Sequence, residues 1–105
     1  MQANLVSVGK MSNGNSTPVD VFWDQVARDF LRTLPPAERQ VVQAAVDHLM
    51  DHPQADGVAK IWLPFPFLYG TIAYRVSGFF ITYGFENAAT IRIYTVSRDT
   101  GQYWG

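Results

Sequence analysis

Three arginines and a tyrosine in the last third of the chain have the side chains that could do chemistry: Arg75, Arg92, Arg98 and Tyr103. Arg75 closes the run LYGTIAYR, Arg92 and Arg98 stand within and at the end of TIRIYTVSR, and Tyr103 follows in TGQYWG. A guanidinium grips phosphate as a two-pronged fork and keeps its charge at any working pH. Two of them therefore suit a scissile phosphate and the charge that develops in its transition state. A tyrosine nearby could orient a ribose, stack on a base or exchange a proton. The plainer alternative pairs Arg75 and Arg92, as exposed strand residues, with Glu86 or Asp99, and uses Tyr103 and Trp104 to cover a sheet edge.

His48 and His52 are four apart, a spacing that can hold a metal on one helical face. Asp47 and Asp51 beside them give the other reading, a solvated helix end where protonated histidine is favoured by the negative dipole. The chain contains no glycine-rich phosphate loop, nucleophile elbow or zincin pattern, and nothing in it calls for a cofactor. Trp62, Phe65 and Phe67 could form an exposed aromatic surface, with core packing as the alternative.

Positioning these groups falls to elements that the apolar spacing defines. Residues 1–18 end in MSNGNSTP and read as a flexible lead-in, with Met11 as a second candidate start, so the folded domain is expected over 19–105. PVDVFW alternates as a short strand. From Asp24 the step changes to three and four, through Val26, Ala27, Phe30, Leu31 and Leu34, until LPP stops the helix. Pro36 suits the first turn of a second helix, which carries Val41, Val42, Ala45, Val46, Leu49 and Met50 and ends at DHPQADG.

The rest is strand material, joined at Ser77-Gly78 and at ENAA by connections short enough for hairpins. Phe79, Ile81, Tyr83 and Phe85 fall on one face, and Phe80, Thr82 and Gly84 on the other. Two prolines in KIWLPFPFLYG bar a central strand and predict an extended connector or an edge. The order predicts an α+β domain: a short strand, two antiparallel helices, then an antiparallel meander. The helices should pack on one face of the sheet and leave the other open.

Composition bounds what such a domain does. With 105 residues, 48% of them hydrophobic and no cysteine, one core forms without disulfides, as suits a reducing cytoplasm. No apolar run reaches membrane-spanning length and no signal-peptide pattern opens the chain. A formal net charge of -1 removes the whole-domain positive field of a non-specific nucleic-acid binder, so any such contact is local.

The ordered set VDVFW, DQVARDFLRTL, PPAERQVVQAAVDHLMDHP, YRVSGFFITY and IRIYTVSRDTGQY resembles the RelE/ParE superfamily of toxins from bacterial type II toxin-antitoxin pairs, over about residues 19–103. The resemblance implies a compact toxin neutralised by a cognate antitoxin. RelE-type members cut messenger RNA, usually on the ribosome, with basic residues on the open sheet face, whereas ParE-type members poison DNA gyrase. Carried over by position, Arg75 matches the first hairpin arginine, Arg98 the arginine after the last strand, and Tyr103 the terminal tyrosine.

Departures from the pattern bear on mechanism. Phe80 stands where the second hairpin arginine is expected, and Thr71 and Ala73 stand where RelE-type nucleases carry lysines; Lys60 is the one lysine nearby. Three readings follow: a metal-independent endoribonuclease that inhibits translation through Arg75, Arg98 and Tyr103, a ParE-like gyrase inhibitor acting by binding, and a silent antitoxin-binding protein of the same fold.

Overall fold

The computed structural model describes residues 18–63 and 70–100. Most of the lead-in, Phe65, Phe67, Tyr103 and Trp104 lie outside the described residues. Among the described residues the elements are β1 (Asp20–Trp23), α1 (Gln25–Thr33), α2 (Pro36–Asp51), β2 (Lys60–Trp62), β3 (Ile72–Val76), β4 (Phe79–Asn87) and β5 (Thr90–Arg98). They give the expected α+β architecture, with both helices on one face of a sheet ordered β1-β5-β4-β3-β2. The meander β3-β4-β5 is antiparallel, β2 is the edge read from the proline-flanked segment, and β1 pairs in parallel with β5, which makes the sheet mixed.

Helix α2 begins with Pro36 in its first turn, where the missing N–H costs nothing, and Glu38 lies near its positive end. The helices bury Ala27, Leu31, Leu34, Val42, Ala45, Val46 and Leu49 against Ile72, Tyr74, Phe79, Ile81, Tyr83, Ile91, Ile93 and Val96. Val26 and Val41, read into the apolar stripes, are exposed instead. Ala27 and Val42, each one step of about 100° further round its helix, take the inner places.

Ser77 and Gly78 join β3 to β4 with φ of 51° and 84°, the double positive pattern of a type I′ hairpin turn. Glycine adopts it freely, while a branched residue is strained there. Gly78→Val is therefore expected to lose about 1–2 kcal/mol, whereas Ser77→Asn should raise the urea midpoint. Urea unfolding followed by tryptophan fluorescence checks both.

The second sheet face is not open as expected. Ala73 is fully buried and Phe80 is 4% exposed on it, and Thr71 and Gly84 are buried as well. Part of the cover comes from the sheet itself. A Cβ on Gly84 would sit 2.9 Å from the Tyr94 hydroxyl and 3.0 Å from the Gly70 carbonyl, so the absent side chain makes room for both.

Tyr94 owes its position to a β-bulge. Tyr83 pairs with Ile93 but Thr82 pairs with Thr95, leaving Tyr94 as the extra residue of β5. Beyond it the alternation is shifted by one. Val96 enters the core opposite Ile81, and Arg98 falls opposite Phe79, on the side of the helices.

Candidate functional site

That shift separates the two arginines that the sequence brings together. Arg75 lies on the second face, opposite Phe80, while Arg98 lies on the helical face with its guanidinium 5.6 Å from the centre of the Phe79 ring. Tyr103 lies outside the described residues.

Each sheet arginine meets a carboxylate. Arg98 donates twice to Glu38 at the start of α2, Nη1 to Oε2 and Nη2 to Oε1, both at 2.8 Å. This fork holds the Glu38 carboxyl below, and the Arg98 guanidinium above, its ordinary pKa. Arg75 pairs through Nε with Asp99 Oδ2. Arg92 reaches Asp24 at 3.3 Å and Glu86 at 3.2 Å, and stacks at 4.5 Å over the half-exposed Phe22 ring. The plainer pairing of Arg75 with Asp99 and of Arg92 with Glu86 is thus what the structure shows. Between these arginines the second face carries hydroxyls, with Thr82 and Thr95 joined at 2.6 Å.

A second group of titratable residues surrounds Lys60, on the helical face opposite Tyr74. Lys60 is only 5% exposed. Its ammonium donates to the His52 carbonyl at 2.8 Å, meets His48 Nε2 at 3.3 Å, and lies 5.8 Å from the centre of the Tyr74 ring. The cation therefore satisfies the negative end of α2. With an ammonium as donor, His48 Nε2 is the acceptor and its imidazole is neutral. The surrounding loop is set by Asp56, whose Oδ1 accepts the N–H groups of Val58, Ala59 and Lys60 at 2.8, 3.0 and 2.9 Å. Those three bonds are local, reaching two to four residues along the chain, and have no periodic signature; Asp-Gly before a strand is the turn signal that could have pointed to them.

His48 and His52 share the end of α2 with the Lys60 ammonium. Their rings lie 4.9 Å apart, with the Lys60 ammonium against His48, and among the described residues no group of three or more His, Cys, Asp or Glu side chains is placed to hold a metal ion.

Desolvation, then Lys60 and His52, lower the His48 pKa, against weaker opposing effects of Asp51 and Asp56. The folded protein thus holds this proton less tightly than the unfolded chain. The stabilisation is complete above the ordinary imidazole value of about 6.5 and is lost as pH falls from there through the lower folded value. The Asp56 carboxyl is held down chiefly by its backbone hydrogen bonds from Lys60 and Val58, and adds a further loss below the ordinary carboxyl range. The urea midpoint should therefore fall between pH 7.5 and 5.5, and fall less in His48→Gln, which keeps an acceptor but does not titrate.

No family model matches the chain, and no curated protein matches it in sequence. Solved structures do match. The toxin-antitoxin complex RelBE2 of Mycobacterium tuberculosis contains a chain 26% identical to this one, with a TM-score of 0.65 over 77% of this chain and 98% of that one. The archaeal RelE-RelB complex from Pyrococcus horikoshii OT3 matches at a TM-score of 0.62 and 16% identity, over 79% and 97% of the two chains. The isolated RelE toxin of E. coli matches at 0.62 and 13%, over 76% and 83%.

Two helices on one face of a mixed five-stranded sheet, in this order, are the fold of RelE-type toxins. Within that class the chain is similar to the RelBE2 chain over nearly all of the latter's length, and the RelE/ParE resemblance read from its sequence is borne out. Among the described residues no helix is long and apolar enough to cross a membrane.

Proposed function

We propose that this chain is the toxin of a toxin-antitoxin pair, neutralised by a cognate antitoxin protein, and that its effector chemistry is metal-independent cleavage of messenger RNA. The observation that carries the proposal is the RelE fold, matched in the RelBE2 toxin-antitoxin complex over 98% of that chain. In this reading Arg75, on the face away from the helices, holds the scissile phosphodiester. The ribose 2′-hydroxyl attacks phosphorus and gives up its proton, and the bond to the 5′-oxygen breaks. That oxygen takes a proton, leaving a 2′,3′-cyclic phosphate and a 5′-hydroxyl. Tyr103 is assigned the ribose contact or a proton. Arg98, tied to Glu38 on the other face, is a positioning residue that fixes the end of β5.

The second reading, action by binding on DNA gyrase or on the antitoxin alone, is favoured by one specific observation. Arg75, Arg92 and Arg98 are all paired with carboxylates, and Phe80 puts an aromatic ring where a further cation would serve RNA.

Inducing the chain in bacteria without its partner separates the readings. Incorporation of labelled amino acid is expected to fall within minutes while DNA synthesis continues, and Arg75→Ala is expected to restore it. A fall in DNA synthesis first would move gyrase to the front. Growth unaffected by an accumulating, folded protein would leave the silent partner.

A further inference from the structure

Arg98 and Asp99 are consecutive, yet they leave the end of β5 on opposite sides. Arg98 is clamped to Glu38 on the helical side, and Asp99 pairs with Arg75 on the other. The Asp99 N–H also donates to the Gly78 carbonyl at 2.9 Å, and the Arg75 N–H to the Ala59 carbonyl at 2.9 Å. Both backbones are therefore fixed, and the carboxylate is set against the guanidinium by the fold. The Asp99 side chain is 11% exposed while that of Arg75 remains 42% exposed. Phe80 stands opposite Arg75 in the ladder and is itself buried.

Carboxylate and phosphate present the same pair of acceptor oxygens to a guanidinium fork. Asp99 sets one negative charge against the positive charge of Arg75. From this arrangement we propose that Asp99 is an internal competitor for the Arg75 anion site, occupying the guanidinium edge that a phosphodiester of single-stranded RNA takes and holding the free protein in a low-affinity state. The proposal rests on the RNA-cleavage reading, and adds that the cation of this site is held in reserve by the chain itself.

Asp99→Asn keeps the shape of the side chain and removes its charge. Binding of a fluorescent oligouridylate to the full chain is expected to tighten roughly fivefold at about 0.1 M salt, the factor given by one further released counterion on a single strand. The slope of log K against log salt should steepen by about 0.7. Adding Arg75→Gln to Asp99→Asn should abolish the gain. Asp47→Asn, an equal charge change on the exposed face of α2, should produce neither effect.

Circular dichroism establishes that each variant is folded, and Asp99→Ser takes the place of Asp99→Asn if the latter is not. Equal binding by wild type and Asp99→Asn, with Arg75→Gln weaker than both, would overturn the competitor role and leave the RNA reading standing. The same gain from Asp47→Asn would assign the effect to overall charge and also overturn it. If no variant binds the oligonucleotide and translation continues in cells, the RNA reading falls, and the competitor role with it.

Discussion

Tyr83→Ala is expected to destabilise the protein by about 4 kcal/mol, a large part of the stability that a domain of this size has to lose. Among the described residues Tyr83 is the largest fully buried side chain, and it stands mid-sheet on β4, between Ile72 of β3 and Ile93 of β5. Its truncation opens a cavity that a sheet paired on both sides cannot collapse. The hydroxyl adds a separate contribution, because it donates to the Pro53 carbonyl at 2.7 Å and so ties the exit of α2 to the sheet. Burial pushes the phenol pKa well up, which keeps it a donor throughout the working range.

Tyr83→Phe removes only that bond and leaves the Pro53 carbonyl unsatisfied, for an expected loss of about 1–2 kcal/mol. Urea unfolding of the two variants separates cavity from hydrogen bond. A Phe variant as unstable as the Ala variant would show that packing at Tyr83 matters less than its tie to Pro53.

Lys60→Ala carries the next largest expected effect, a loss of about 2–3 kcal/mol. The ammonium is buried against the end of α2, and its removal leaves the His52 carbonyl without its charged donor and His48 Nε2 without a partner. Lys60→Met should cost less, since it retains the apolar stem that lies along Tyr74. Both variants should raise the His48 pKa, because one of the effects depressing it is the Lys60 charge. Proton NMR of the imidazole follows that shift directly. An unchanged titration with a lowered urea midpoint would mean that Lys60 acts through packing alone.

Both variants probe the junction of α2, the Asp56 loop and β2, which the sequence shows only in part. The stop at DHPQADG and the edge character of the proline-flanked segment were legible, because proline and Asp-Gly act locally. The destination of the Lys60 ammonium was not. It depends on which face of β2 meets the end of α2, a matter of register between segments far apart in the chain.

Most of the architecture follows from the sequence by itself. The change from a step of two to a step of three and four, the Pro36 start, the Ser77-Gly78 turn and the absence of cysteine determine a helical pair, a meander and a single core, because each acts over a few residues. Tertiary structure alone decided the candidate site. Strict alternation along TIRIYTVSR would put Arg92, Tyr94, Val96 and Arg98 on one face. The bulge at Tyr94 shifts the phase by one residue, sends Val96 into the core and turns Arg98 to Glu38. A bulge is settled by packing across the strand pair, here by the room that Gly84 leaves for the Tyr94 ring, and a one-residue slip exchanges the faces of everything beyond it.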